Sequence, residues 1–205
     1  MSNHLAIFEA IYESKVWGDN ENKNYNGSSG AGSLMHYNQS TWIPFFRNLI
    51  TMNTNIKKIV DLGCGDFQCG TAQFDGLPIE YLGYDAYKKV ILHNQTHYPH
   101  YRFHHLDFLN CKEDIENGDL CILKDVLIHW SCQEIDIFLS YLISSKKFKW
   151  ILLCNCDGQI IDNHDIPTGH YRPISAKMNP LKKFNPIILY TFLSNCKKEV
   201  SIITV

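Results

Sequence analysis

The stretch of sequence that decides the fold is Lys58–Asp66, which reads KIVDLGCGD. Its apolar residues predict a buried strand, because a strand covered on both faces carries a nearly continuous apolar run. Gly63 and Gly65 follow the strand, and glycines at this point let the backbone turn sharply and approach a ligand more closely than a Cβ atom allows. The stretch therefore predicts a strand of an α/β sheet that ends at a ligand site.

A second acidic signal, Asp85, ends another predicted strand roughly twenty residues further on, as in nucleotide-binding α/β folds. A carboxylate there accepts hydrogen bonds from ribose hydroxyls. The glycines do not form the dinucleotide pattern Gly-x-Gly-x-x-Gly, because Gln68 stands in place of the third glycine. Asp61, which precedes the glycines, suits the ammonium group of an amino acid instead. A ribose and an amino acid together describe S-adenosylmethionine.

Residues 61–65 together with Asp85 resemble the class I S-adenosylmethionine-dependent methyltransferases. Asp107 and Phe108, at the end of a third predicted strand, match a further landmark: the resemblance implies that the acid takes the adenine amino group and that the apolar neighbour covers the ring. Residues 119–130 look like the fourth strand and the segment beside the methyl-transfer centre. The alternative is an α/β domain that only holds a nucleotide. The cofactor-binding residues that the resemblance implies are Trp17, Ser33, Asp61, Gly63, Cys64, Gly65, Asp85, Ala86, Asp107, Phe108 and Lys124.

The predicted elements alternate between strands and helices, which is typical of a parallel sheet with right-handed crossovers. The last two strands are separated by only about six residues, too few for a crossover helix, so we expect an antiparallel hairpin. The sequence therefore predicts an α/β fold, a Rossmann-like doubly wound sheet that is mostly parallel with an antiparallel C-terminal hairpin strand. Strands are predicted at 57–63, 80–86, 101–108, 119–125, 149–155, 186–192 and 199–205, and helices at 3–17, 37–49 and 133–145.

A length of 205 residues predicts a single domain, 1–205. Within it we distinguish N-terminal helices and a lid (1–50), a cofactor-binding core (57–155), an acceptor-side loop (156–186) and a C-terminal hairpin (187–205). Prolines and glycines break up any long helix in the acceptor-side loop. The lid is the polar, glycine-rich segment Trp17–Ser33, whose glycines allow close approach to a cofactor. Its composition also suits a disordered linker.

Composition narrows the class of protein. Proteins that capture long nucleic acid need a broad basic surface. A net charge of −2 does not favour that class. Neither a membrane-spanning apolar run nor a secretory signal is visible, which predicts a cytoplasmic protein without a membrane partner. The eight cysteines include no Cys-x-x-Cys pair, so we expect reduced thiols rather than a disulfide or a structural metal. Paired lysines such as Lys197-Lys198 are interpreted as solvated surface.

Asp125 and His129 follow the fourth predicted strand and share one face if a helical turn comes next. His129 suits a general base near neutral pH, with Asp125 orienting its ring; the alternative is that His129 only packs or caps. Asp125, Asn155 and Asp157 also resemble the Mg²⁺ ligands of metal-dependent O-methyltransferases. Mg²⁺ is possible but not favoured, because Cys156 separates the last two and alternation along a strand sends one of them away.

Further polar and aromatic residues predict the acceptor side. Trp130 is expected to wall the acceptor pocket and Arg172 to hold a carboxylate or phosphate, and Asp157, His170 and Tyr171 are expected to contact the acceptor.

A narrower resemblance is carried by Trp17-Gly18, the Ser/Gly-rich run 28–33 and residues 124–130. It is to small methyltransferases, some of them associated with sugar modification. It implies methyl transfer to a small polar acceptor, with a sugar or nucleotide-sugar hydroxyl favoured. The alternatives are methylation of RNA or a nucleotide, and a catalytically idle partner protein that only binds the cofactor.

Overall fold

The structure, a computed structural model, describes residues 3–19, 25–157 and 164–205. Its strands are β1 (Lys58–Leu62), β2 (Glu80–Asp85), β3 (Arg102–His105), β4 (Leu120–Lys124), β5 (Trp150–Cys156), β6 (Ile187–Leu193) and β7 (Lys197–Thr204). They form one seven-stranded sheet in the order β3-β2-β1-β4-β5-β7-β6. The strands from β3 to β5 pair in parallel, and β7 runs antiparallel between β5 and β6. The predicted mostly parallel α/β sheet with an antiparallel C-terminal hairpin strand is confirmed.

Both faces of the sheet are covered, because successive residues of a strand point to opposite faces. In β1, Val60 packs in one core layer with Trp130 and with the buried side chains of the helix Cys132–Ser145. Ile59 packs in the other layer, which contains Trp42 and Phe46. The apolar run that opens the central strand is therefore what a doubly wound sheet requires.

The helices are α1 (His4–Glu13), α2 (Met35–Asn38), α3 (Trp42–Met52), α4 (Gly70–Phe74), α5 (Lys88–His97) and α6 (Cys132–Ser145). Helix α1 spans the two core layers, since Phe8 packs against one layer and Tyr12 belongs to the other. Helix α6 begins at a capping box, in which Glu134 N donates to Ser131 Oγ (3.2 Å) and Ser131 N donates to Glu134 Oε2 (3.0 Å). No described helix is long and apolar enough to cross a membrane.

Several predicted boundaries are wrong. The first helix ends at Glu13, after which Lys15 takes a left-handed conformation with φ +57°. The predicted helix 37–49 is two helices, because Pro44 lacks an N–H and therefore fits only the first turn of α3. Strand β3 ends at His105, so the loop after it carries the predicted adenine contacts. In the described part of the acceptor-side loop, helical structure is limited to a 3-10 turn at Lys182–Phe184.

Candidate active site

A pocket of about 310 Å³ lies where the parallel strands end. Carboxyl ends of parallel strands meet at one edge of a sheet, and an antiparallel strand begins at that same edge. The pocket is therefore lined, in the order of the sheet, by Asp107 after β3, Asp85 on β2, Asp61 on β1, Asp125 after β4 and Lys198 on β7. Residues far apart in the chain thus meet along one edge.

The turn after β1 has room only for glycine. Gly63 has φ +87°, and a Cβ atom there would lie 2.5 Å from Val126 Cγ2. Gly65 has φ +55°, and its Cβ would lie 2.6 Å from Ser29 Oγ. Asn94 Nδ2 donates to Gly65 O at 2.7 Å and holds the turn from α5. Both positions therefore need glycine, for their backbone conformation and for the close packing of Val126 and Ser29, and both line the pocket.

Two carboxylates, the buried Asp85 and the half-buried Asp61, flank this turn. Asp85 Oδ2 accepts from Gly65 N and Oδ1 accepts from Tyr87 N, both at 3.0 Å. Each oxygen keeps a further acceptor site, so two vicinal hydroxyls can still bind. Asp61 Oδ2 accepts from the Tyr81 hydroxyl at 2.9 Å. Burial raises the pKa of both carboxyls to about 6, and a cationic ligand would favour their charged form.

The end of the pocket near β3 contains the predicted adenine contacts. Asp107 accepts from Asn110 N (3.1 Å) and Asn110 Nδ2 (2.8 Å), and both Asp107 and Phe108 are buried and line the pocket. Ala86 and Cys64 line it as well. These residues lie next to the ribose-binding position predicted at Asp85.

The described part of the predicted lid packs over the pocket. Ser29 Oγ forms a hydrogen bond with the Tyr12 hydroxyl and accepts from Asp66 N, both at 2.8 Å. Lys124 Nζ donates to Gly32 O at 2.8 Å. Trp17 and residues 29–33, including Ser33, line the pocket. Residues 20–24 of the predicted lid lie outside the described residues.

Helix α1 adds residues that the sequence analysis missed. His4, Phe8 and Tyr12 line the pocket from above the strand ends. Their spacing of four residues is the available sequence signal, because side chains at that interval share a helix face.

A charge cluster lines the pocket beyond β4. Asp125 takes a left-handed conformation with φ +60°. Its Oδ1 lies 2.5 Å from Lys198 Nζ and its Oδ2 lies 2.9 Å from Lys124 Nζ. Burial works against ionisation of Asp125, but the two ammonium groups outweigh it and hold its pKa well below the usual range. Burial favours neutral Lys124, yet Asp125 outweighs it and raises the lysine pKa to about 12.

The interpretation of Lys198 as solvated surface is wrong. This lysine is 2% exposed, whereas its neighbour Lys197 is exposed and pairs with Asp157. The predicted last strand starts at 199, which leaves Lys198 in a turn, but β7 starts two residues earlier. Within a strand the two lysines point to opposite faces.

His129 lines the pocket from a 3-10 turn. Its Nδ1 lies 3.0 Å from His170 O, and since a carbonyl can only accept, Nδ1 carries the proton. In the neutral ring Nε2 then holds the lone pair. Burial lowers the His129 pKa, so the neutral form dominates at neutral pH. The prediction that Asp125 orients this ring is wrong, because the His170 carbonyl does so and both Asp125 oxygens pair with lysines.

The predicted acceptor contacts divide into two groups. Trp130 and Tyr171 line the pocket, and Tyr171 is 55% exposed at its mouth. His170, Asp157 and Arg172 do not line it. Arg172 is 0% exposed and donates through Nη1 to Leu127 O at 3.3 Å, so the prediction that it grips the acceptor does not fit its position.

The donor groups do not suit a Mg²⁺ ion. Asp125 is neutralised by two ammonium groups, and Asp157 pairs with Lys197 Nζ at 2.6 Å outside the pocket. Asn155 is buried in β5 and does not line the pocket. Among the described residues, no group of three or more His, Cys, Asp or Glu side chains could hold a metal ion.

One expectation about the cysteines is also wrong. Cys156, at the end of β5, forms a disulfide with Cys196 in the turn before β7. Cys156 lines the pocket. The sequence offered no signal for this pair, because the two cysteines are 40 residues apart and meet only through the pairing of β5 with β7.

No protein-family model matches the chain, and no curated protein sequence matches it. Solved structures do. Magnesium protoporphyrin IX methyltransferase from Synechocystis PCC 6803, with bound SAM, is 14% identical with a TM-score of 0.64, covering 100% of this chain and 98% of that one.

Two further structures belong to longer proteins, of which this chain matches a smaller share. Human N-acetylserotonin methyltransferase in complex with SAM is 16% identical with a TM-score of 0.59, covering 97% of this chain and 58% of that one. The bifunctional kinase-methyltransferase WbdD is 16% identical with a TM-score of 0.56, covering 82% and 39%. At these identities the likeness concerns the fold. The chain has the fold of the S-adenosylmethionine-dependent methyltransferases.

Proposed function

We propose that the protein transfers a methyl group from S-adenosylmethionine to a small polar acceptor, with a sugar or nucleotide-sugar hydroxyl favoured. One observation carries the proposal. A glycine-only turn and three acids, the half-buried Asp61 and the buried Asp85 and Asp107, line one pocket in the order of β1, β2 and β3. That order suits an ammonium group, a ribose and an adenine in succession. Two of the structural neighbours contain bound SAM.

The residues present fit this cofactor. Asp61 would receive the ammonium group and Asp85 the ribose hydroxyls, and Asp107 with Phe108 would hold the adenine. Lys124 would lie near the carboxylate of the cofactor's amino-acid part, because its ammonium is held beside the lid by Gly32 O. The cofactor supplies the electrophilic methyl group when bound. The protein supplies alignment, exclusion of water and a proton acceptor.

His129 is the base that the geometry favours. The carbonyl of His170 holds Nδ1–H, which leaves Nε2 of the neutral ring to accept the proton of an acceptor hydroxyl. Trp17 lies beside this ring, with ring centres 4.6 Å apart, and Tyr171 lies on the same rim at 6.1 Å. Apolar ring faces next to a proton acceptor suit a sugar, which has both C–H faces and hydroxyls.

Two observations bear on the alternatives. The described lining of the pocket contains two lysines and no arginine, and both lysines bind Asp125. So few free basic side chains do not favour an RNA-binding surface. Asp125 and His129 both line an open pocket, whereas an idle cofactor-binding protein would be expected to lack them or to have this region closed.

Calorimetry with S-adenosylhomocysteine tests the proposal. Asp85→Ala should weaken binding by at least about tenfold, because hydrogen bonds to a charged group contribute about 1.5–3 kcal/mol each. Asp136→Ala is the matched control, since Asp136 pairs with Lys183 at the surface of α6 and does not line the pocket. Absence of binding by the wild type, or equal affinity in Asp85→Ala, would refute the cofactor site. A screen with labelled S-adenosylmethionine across sugars, nucleotide sugars and RNA then tests the acceptor class.

A further inference from the structure

The half of the pocket near β5 and β7 contains a buried lysine to which the proposed transfer gives no role. The ammonium of Lys198 lies 2.5 Å from Asp125 Oδ1 and 3.2 Å from Cys156 Sγ. Because β7 is antiparallel to β5, its first residues lie at the edge where β4 and β5 end. Lys198 thus reaches the pocket from β7, whereas the proposed cofactor site lies at the ends of β1, β2 and β3.

Charged groups divide along the pocket. The end formed by β1, β2, β3 and the loops after them contains the carboxylates of Asp61, Asp66, Asp85 and Asp107. Four acids suit a cationic ligand. The other end contains the cluster formed by one carboxylate, Asp125, and two ammonium groups. The two ammonium groups share a single carboxylate, so the cluster has one positive charge in excess.

The two lysines of the cluster face different neighbours. Lys124 donates to Gly32 O in the lid and to Asp125, which directs it toward the proposed cofactor. Lys198 has three N–H donors; one is used by Asp125, and Cys156 Sγ is a weak acceptor. Among the described residues, Lys198 therefore keeps a strong donor for a ligand at the β5–β7 end of the pocket.

We propose that Lys198 binds an anionic oxygen group of the methyl acceptor, a phosphate or a carboxylate. The inference rests on the proposed function, and it gives Lys198 the role that the sequence had predicted for Arg172. A compact ammonium group is a good partner for either anion, because a charge-assisted hydrogen bond forms whichever oxygen is presented. Asp125 positions the ammonium, and the excess positive charge of the cluster selects an anionic acceptor over a neutral one.

Binding of small anions to the protein saturated with S-adenosylhomocysteine tests this role. The probes are inorganic phosphate, acetate, and the pair glucose 1-phosphate and glucose, measured by calorimetry. The wild type should bind glucose 1-phosphate about 10- to 100-fold more tightly than glucose. A comparison of its affinities for phosphate and for acetate identifies the preferred anion. Lys198→Gln should abolish this preference. Lys198→Arg, which keeps the charge, should retain part of it.

Lys197→Gln is the matched control, because this neighbouring lysine points away from the pocket and pairs with Asp157. Its anion preference should equal that of the wild type. Absence of an anion preference in the wild type, or its persistence in Lys198→Gln, overturns the inference while the cofactor site stands. Loss of S-adenosylhomocysteine affinity in a folded Lys198→Gln protein also overturns it, since the lysine would then serve the cofactor. Failure of the wild type to bind S-adenosylhomocysteine refutes the proposed function itself.

Discussion

At the scale of single residues, protonation states decide what the pocket can do. His129 is held with its proton on Nδ1 by the His170 carbonyl, and burial lowers its pKa, so the ring is neutral and able to accept a proton at pH 7. Asp61 and Asp85 are affected in the opposite sense, because burial raises the pKa of each to about 6. The same loss of water thus favours a neutral imidazole at one end of the pocket and raises the pKa of two carboxyls at the other.

His129→Ala should lower turnover by about 10²- to 10⁴-fold, the usual contribution of a general base. Affinity for S-adenosylhomocysteine should be almost unchanged, because the predicted cofactor contacts lie on other residues. Steady-state kinetics and calorimetry on the same preparation measure the two quantities. His100→Ala, at an exposed turn, is the control. Full turnover in His129→Ala would show that this side chain only packs.

Cofactor affinity should depend on pH through the two raised acids. As the pH falls through about 6, Asp61 and Asp85 take up protons in the free protein. An ammonium group binds the carboxylate form of Asp61, so protons compete with it. The affinity for S-adenosylhomocysteine should therefore be constant above pH 7 and fall below pH 6, by up to about tenfold per pH unit for each acid that must ionise.

Asp61→Asn separates this effect from general acid sensitivity of the protein. The amide cannot take up a proton, so the variant should bind more weakly at pH 7 and show a shallower fall below pH 6. Calorimetry between pH 5 and pH 8 measures both profiles. A wild-type profile that does not change with pH would contradict the proposed carboxylate–ammonium contact.

At the scale of elements, hydrogen bonds attach the described part of the lid around the pocket, and Tyr25 adds packing in a core layer. Ser29 joins it to Tyr12 on α1 and to Asp66 in the turn after β1. Gly32 joins it to Lys124 at the end of β4. Since these anchors all lie around the pocket, a ligand that fills the pocket would contact the lid and its anchors together.

Amide hydrogen exchange in residues 25–33 should slow when S-adenosylhomocysteine is added, because closing a lid reduces local opening. Exchange in α6 should not change, since its inner face is already packed in the core. Mass spectrometry of peptic peptides with and without ligand measures the difference. Equal exchange in both states would favour the linker interpretation of this segment.

At the scale of the whole molecule, the antiparallel strand β7 connects features that are remote in the chain. It pairs with β5 on one side and β6 on the other, and it brings Lys198 to the pocket. The disulfide between Cys156 and Cys196 links the end of β5 to the turn before β7 and closes a loop of 40 residues. A crosslink across a loop of this length stabilises the fold mainly by restricting the unfolded chain.

Cys196→Ser should lower the free energy of unfolding by about 2–4 kcal/mol, as expected for a crosslink of this span. Chemical denaturation of the oxidised protein measures it. Cys111→Ser, which removes an exposed free thiol, is the control and should change little. Peptide mapping without reductant should recover Cys156 and Cys196 in one linked pair. Alkylation of both residues in the native, unreduced protein would contradict the crosslink.

The sequence by itself determined the half of the pocket that is proposed to bind the cofactor. The apolar run of β1, the glycines after it and the acids at 85 and 107 are local signals, because each depends on the strand and turn in which it lies. Parallel strands end at one edge, so predicting the strands also predicted that these residues meet. The predicted helix 37–49 failed at Pro44, and β3 proved shorter than its apolar pattern suggested.

Only the tertiary structure decided the half of the pocket that is proposed to bind the acceptor. The roles of Lys198, Arg172 and Cys196 follow from where β7 inserts and how the loop 164–186 folds back, and no local pattern encodes either. Lys197 and Lys198 are identical in the sequence, yet a strand boundary two residues earlier than predicted places one in solvent and the other in the pocket. The physical reason is that side-chain direction alternates with every residue of a strand, and the pairing of β7 with β5, more than 40 residues earlier in the chain, sets the register.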